Sequence, residues 1–272
     1  MLLQRADDAV LAEARATTKA VARTFALACR LLPRAQRDDV YRLYLVFRTL
    51  DDLVDDRRPG AGEAIAAVET WCADGVATSR ETRVLSELAT RHPLPLSELR
   101  AFCRGMRDDL AGVPIVTEAQ LDDYCYRVAG TVGVVMACVL GTTTPDADRH
   151  AAALGQAMQR TNILRDIDED LAHGRVYLAR ETVEAFGGSL QPGRREALLR
   201  DQIARADALY DIGAAGVPML RTGRRAVAAA ASMYREILRQ IERDGLGARP
   251  GRAVVARRRK LYVAARAGAA GA

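Results

Sequence analysis

Two short stretches bring carboxylates together at helical spacing. The first reads Arg48-Thr-Leu-Asp51-Asp52-Leu-Val-Asp55-Asp56, the second Asn162-Ile-Leu-Arg165-Asp166-Ile-Asp168-Glu169-Asp170. On a helix, Asp51 and Asp55 share a face with Arg48 beside them, and Asn162, Asp166 and Asp170 fall at i, i+4 and i+8 on one stripe. An isolated acid pair at this spacing says little in a chain with 35 Asp+Glu. These two stripes sit in apolar segments, where like charges four apart cost about 0.2–0.5 kcal/mol per pair, and more when buried alone. A cation would satisfy them. Mg²⁺ takes a few carboxylates together with phosphate oxygens and water. Two stripes facing each other across a bundle would hold several Mg²⁺ ions with a diphosphate between them, gripped bidentately by arginines. The competing reading is a solvated acidic face with intrahelical Arg–Asp pairs.

Between the stripes lies Tyr124-Cys-Tyr126-Arg-Val-Ala-Gly130-Thr-Val-Gly133. Glycine inside a helix costs about 1 kcal/mol against alanine, so it has a packing or access reason. Close helix contact is one reading. A wall left open for a long apolar ligand, with Tyr126 as a polar group inside it, is the other. The stretch lacks the GxGxxG spacing and the preceding strand of a dinucleotide site.

The elements that must position these residues read as helices throughout. Aromatics are 5% and hydrophobic residues 49%, much of the latter alanine, a composition that favours helix over strand. Helical spacing runs over about 36–56, 63–76, 96–110, 119–140, 147–172, 194–212 and 218–243, punctuated by Pro and Gly. No segment alternates long enough to be a strand. The expectation is an all-α fold, one domain over 1–272, with eight to ten helices in a bundle and a basic C-terminal helix at about 252–266.

Composition excludes several classes. The apolar runs are short, so no membrane span is expected. The N-terminus carries Arg5, Asp7 and Asp8 where a signal peptide needs an apolar run. Five scattered cysteines without CxxC spacing point to reduced thiols, and three histidines make a His-rich metal site improbable. The expected location is cytoplasmic. The net charge of +5 is uneven: residues 221–272 hold 13 Lys+Arg against 3 Asp+Glu. Such a tail suits substrate phosphates, an anionic membrane surface or nucleic acid, or is a solvated helix. Nothing resembles a nucleic-acid module. Val254, Val255, Leu261 and Val263 beside the basic run 257–260 would form an amphipathic helix suited to peripheral contact with the inner face of the membrane.

In order and spacing, these motifs resemble the squalene/phytoene synthase family. The likeness includes Thr24-Phe25 ahead of Leu31-Leu32-Pro33, the Tyr-Cys-Tyr-x-Val-Ala-Gly-Thr-Val-Gly stretch, and Gly174-Arg-Val-Tyr177-Leu after the second stripe; it runs from about Val21 to Lys260. The resemblance implies an isoprenoid synthase fold with a central cavity. It implies Mg²⁺-dependent ionisation of an allylic prenyl diphosphate, followed by head-to-head joining to a second one through a cyclopropyl intermediate. By position, Asp51, Asp55, Asp166 and Asp170 would be Mg²⁺ ligands with Asn162 beside them. Arg48 and Arg165 would hold diphosphate oxygens, and Arg258 would close over a diphosphate. Tyr44 and Tyr126 would line the cavity beside the cation, Tyr126 as a catalytic hydroxyl that takes or directs a proton, with Val21, Phe25, Ala26, Cys29 and Gly130 in the wall.

Three positions depart from the family pattern. Val21 stands where many members place a polar residue, often His. Ala26 replaces a frequent Tyr. Val113-Pro114-Ile115 stands where Arg-Tyr often follows the Gly-Met-Arg-x-Asp-Leu segment. They leave open a second acceptor: a prenyltransferase of the phytoene-synthase-like kind that passes one prenyl group to an aromatic small molecule. A non-catalytic helical membrane-binding protein is a minor third reading. No nucleotide site is visible, so no NADPH requirement is expected.

Overall fold

The computed structural model describes residues 2–270, with side chains from residue 9 to residue 267. Among the described residues the chain forms α1 (Leu2–Val21), α2 (Arg23–Cys29), α3 (Arg34–Asp55), α4 (Ala61–Asp74), α5 (Arg80–Ala89), α6 (Leu96–Ala111) and α7 (Glu118–Cys125). A π-helical turn, Tyr126–Gly130, leads directly into α8 (Thr131–Leu140). Then come α9 (Ala147–Ala172), α10 (Arg180–Ala185), α11 (Glu196–Ala215), a 3-10 turn at Val217–Met219, α12 (Arg224–Arg243) and α13 (Arg257–Ala270). Extended pairing among the described residues is one isolated bridge between Thr142 and Leu220.

Thirteen α-helices exceed the eight to ten expected. Sequence spacing did not register α1, α5 or α10. In α5 the signal is local: Ser79 accepts from the Thr82 N–H while Thr82 returns a bond to the Ser79 N–H. That box starts a short helix whose Val84, Leu85 and Leu88 are buried. The basic C-terminal helix begins at Arg257, not near 252. Pro250-Gly251 and the β-branched pair Val254-Val255 leave residues 252–256 outside any helix.

Helices α3 and α9 are the long elements on which the others converge. One face of α9 packs on α11, another on the π-turn and α8, a third on α12. Helix α3 packs on α1, α5, α6 and α8. Two large apolar clusters result, one around Leu43, Leu50, Ile65 and Leu85, the other around Leu198, Tyr210, Ile203 and Leu238.

The segment 118–140 is long and apolar enough to cross a membrane by length and composition, against the sequence expectation. In the fold it is a core element between α6 and α9. Glycines set how closely it approaches. A Cβ at Gly155 would strike the Ala129 carbonyl oxygen, and one at Gly133 the Ala151 carbonyl oxygen. Close backbone contact is thus one reason for these glycines; Gly133 and Gly155 also border a cavity, whereas Gly130 and Tyr126 do not.

Gly155→Ala is accordingly expected to lower unfolding free energy by about 1–3 kcal/mol through overpacking, read as a fall in urea midpoint. Gly62→Ala in α4, where a Cβ meets nothing within 4 Å, is expected to be neutral or stabilising by about 0.5–1 kcal/mol.

Candidate active site

A cavity of about 350 Å³ opens between α2, α3, α6, α8, α9, α11 and α12. Its lining on α9 extends from Ala147 to Asn162, about 22 Å of helix at 1.5 Å per residue. One end is apolar, with Leu140, Ala147, Val217 and Leu220. The other carries Arg48, Asp51, Gln159 and Asn162. Aromatic rings flank the middle: Phe25 and Tyr44 lie 5.3 Å apart, and Phe47 and Phe102 meet edge-on at 4.8 Å.

The polar end follows from helical spacing. On α3, Tyr44, Arg48, Asp51 and Asp55 lie at i, i+4, i+7 and i+11, one stripe whose tyrosine end faces the cavity. On α9 the cavity-lining Leu154, Met158 and Asn162 lead down the same face to Asp166 and Asp170. Arg48 lies 3.0 Å from Asp51 and also pairs with Asp52. Arg165 forks onto Asp166 at 2.8 and 2.5 Å. The intrahelical Arg–Asp pairs of the competing reading thus exist, yet the stripes also face each other. Burial first, then the Asp55 charge, push the Asp51 carboxyl up to about 7. Burial, then Asp166, push Asp170 up to about 6, with Asp55 adding to the rise and Arg175 opposing it. Asp55 therefore acts on a carboxylate of each stripe. Its own partner is Arg175, at 2.9 Å.

The donor set fits Mg²⁺. The Asn162 side-chain oxygen is buried without a hydrogen-bond partner, and the carboxylates around it repel one another. Among the described residues no three His, Cys, Asp or Glu side chains form a closed metal cluster. Carboxylate and amide side-chain oxygens are the donors a hard cation takes, together with water and phosphate oxygens.

Several expected residues lie elsewhere. Ala22 takes the cavity position expected of Val21, which is 55% exposed. Cys29 is buried in the apolar cluster around α3, and Ala26 is buried outside the lining. Gly130 is buried under the Tyr126 ring and against the Ala152 carbonyl, while its neighbours Ala129 and Gly133 face the cavity. Tyr126 is also outside; its hydroxyl donates to Glu98 Oε2 at 2.6 Å. Two residues apart on a helix point about 200° apart, so Tyr124 takes the opposite side. Its ring stacks on Tyr177 at 5.3 Å, and both hydroxyls donate to Asp109 at 3.1 Å. Burial pushes Asp109 up, and the Asp55 charge adds to the shift.

Arg258 is exposed. Helix α13 packs inward through Val263 and Ala264, which turns Lys260 in and Arg258 out. Lys260 donates to Thr24 Oγ1 at 3.0 Å, and burial, then Arg165 and Arg252, hold its pKa down. Arg252 lies 2.9 Å from Asp166. Spacing alone missed Asp109, Arg175, Tyr177, Arg252, Lys260 and the cavity-lining Tyr234 as site residues. Asp109, Arg175 and Tyr177 stand inside quoted motifs, whereas Tyr234 and Arg252 carry no local signal.

The sequence matches the squalene/phytoene synthase family model over residues 18–259. It is 39% identical over 237 residues to the phytoene synthase of Thermus thermophilus, covering 82% of this chain and 80% of that one. It is 34% identical over 277 residues to the 15-cis-phytoene synthase of Synechococcus elongatus, covering 92% and 89%. The fold superposes on a ligand-bound dehydrosqualene synthase with a TM-score of 0.89 at 27% identity over 98% of both chains. Agreement of this extent, in sequence and in three dimensions, means that the chain belongs to the squalene/phytoene synthase family and is a prenyltransferase of the isoprenoid synthase fold.

Proposed function

We propose that this protein ionises an allylic prenyl diphosphate with the help of Mg²⁺ and joins the product head-to-head to a second prenyl diphosphate, releasing diphosphate. The observation that carries the reading is the pair of carboxylate stripes meeting at the mouth of a long apolar cavity, with Asp55 raising a carboxyl on each side. The relatives bear names of enzymes making phytoene and dehydrosqualene, which supports a second prenyl diphosphate over an aromatic acceptor.

Asp51, Asp55, Asp166, Asp170 and the Asn162 oxygen would hold Mg²⁺. When bound, the metal supplies positive charge that stabilises the departing diphosphate. Arg48, Arg165, Arg252 and Lys260 are the cations beside the stripes and share that load. Tyr124 and Tyr177 hold the Asp109 carboxyl next to Asp55. The apolar walls exclude water from the allylic cation. The Phe25 and Tyr44 rings offer it aromatic faces. Burial raises the Tyr44 hydroxyl well above its ordinary pKa, so it remains neutral.

The direct test supplies purified protein and Mg²⁺ with C5, C10, C15 and C20 prenyl diphosphates one at a time. A C30 or C40 product from donor alone is the expected result; diphosphate release only in the presence of an added aromatic compound would overturn the head-to-head reading.

Asp51 has a folded pKa of about 7 against an ordinary 3.8, so folding favours its protonated form. That contribution is present below about pH 4 and is lost as pH rises through about 7. Without divalent metal, Tm is expected to fall across that window. Asp51→Asn should raise the metal-free Tm at pH 8 and abolish diphosphate release; Asp166→Asn should abolish release with the fold intact, as read by circular dichroism.

Side-chain orientation gives two paired contrasts. Tyr126→Phe should keep turnover within about fivefold, because losing one hydrogen bond that lies outside the cavity costs about 1 kcal/mol, while Tyr124→Phe removes one of the two hydroxyls that hold Asp109 and lowers kcat. Arg252→Ala should raise KM for prenyl diphosphate about tenfold, the size of one charge-assisted contact, and Arg258→Ala should leave it unchanged.

A further inference from the structure

The chain between α12 and α13 crosses the outside of α9 as a strap over residues 244–256. It begins with three successive left-handed residues, Gly245 (φ +85°), Leu246 (+51°) and Gly247 (+76°). Leu246 is buried, the next buried side chain is Val255, and none between them is buried. A cleft of about 550 Å³, lined by Arg165, Arg195, Arg243 and Arg249 among others, lies beneath. Apolar packing therefore does not fix the middle of the strap.

Polar anchors do. Asp168 lies two residues from Asp166 on α9, so it points about 200° away from the acidic stripe and is not aimed at the cavity mouth. Arg195 is only 3% exposed and forks onto both Asp168 oxygens at 2.7 Å. A third arginine contact runs to the Leu190 carbonyl at 3.0 Å. The Gly251 N–H donates to Asp168 Oδ2 at 2.7 Å. Upstream, the strap lies directly on Arg195: a Cβ at Gly247 would strike its Nε, and the Gly193 N–H donates to the Gly247 carbonyl at 2.8 Å. The residue after Gly251 turns over α9, and Arg252 Nε comes to 2.9 Å from Asp166 Oδ1. Arg252 is 48% exposed, so its backbone anchor, one residue away, decides where the guanidinium sits.

We propose that Asp168 and Arg195 are positioning residues that fix the strap at Gly251 and so hold Arg252 over the second acidic motif, which sets the affinity of that motif for the substrate's diphosphate. The inference rests on the reading of the motif as a diphosphate site. Asp168 acts on the ligand only through the backbone of the strap; it touches neither diphosphate nor the carboxylate stripe.

A double-mutant cycle separates this from a structural role. Inorganic diphosphate with MgCl₂ is titrated calorimetrically into the wild type, Asp168→Asn, Arg252→Ala and the double variant, with Tm measured for each. Asp168→Asn and Arg252→Ala are each expected to weaken binding about tenfold, and the double variant to bind no more weakly than Arg252→Ala alone. An Asp168→Asn protein that binds as the wild type does, or a penalty that adds in full to that of Arg252→Ala, overturns the proposal. A wild type that binds no diphosphate overturns the underlying reading of the motif, and the proposal with it. Arg195→Lys keeps the charge but loses the fork, and carries the same cycle if Asp168→Asn does not fold.

Discussion

Repulsion among carboxylates at the mouth of an apolar cavity is the constraint on which the rest of this structure depends. The Asp55 charge raises the affinity for protons of Asp51 on its own stripe and of Asp170 on the other, and the low dielectric of the bundle strengthens that repulsion. Arg48, Arg165, Arg175 and Arg252 each sit on one of the acids and reduce the cost without removing it. The Asn162 oxygen stays without a partner. A site in this condition would be stabilised by an added cation. The same residues that would bind Mg²⁺ and diphosphate are those that weaken the metal-free fold.

The cavity exists because α3 and α9 each use one continuous face for two purposes. Apolar and aromatic positions come first along the face and acids follow at the same helical phase. The opposite wall is brought in by glycine. Gly133 lets α8, and Gly155 lets the π-turn, meet α9 backbone to backbone, and the π-turn between α7 and α8 changes the phase along that wall. Tyr124 then faces the acids while Tyr126 binds Glu98. Such turns recur at functional sites because they re-aim side chains within an otherwise regular helix.

The C-terminal part of the chain supplies cations that no nearby helix could. Buried Glu236 on α12 accepts from Arg243 at 2.7 Å and from Arg259 at 2.9 Å, tying α13 to α12. That docking turns Lys260 towards Arg165 and leaves Arg258 in solvent. The strap before α13 brings Arg252 to Asp166. Basic residues in the tail thus divide into some that face the acidic motif and some that face water, a division set by helix phase and not by charge density.

The sequence by itself determined the helical class, the identity of both acidic stripes and the arginines beside them. Each of these depends on residues within two turns of one helix, where a period of 3.6 fixes the common face. Family motifs extended this to the whole architecture. Which tyrosine of the Tyr-Cys-Tyr triplet faces the acids was decided by the phase of the π-turn against α6 and α9. Which arginine of the tail reaches Asp166 was decided by a strap whose anchors, Asp168 and Arg195, stand 27 residues apart. The pairing of Arg175 with Asp55 spans 120 residues. Contacts over such separations depend on packing of distant elements, and no local spacing encodes them; tertiary structure alone placed these side chains together.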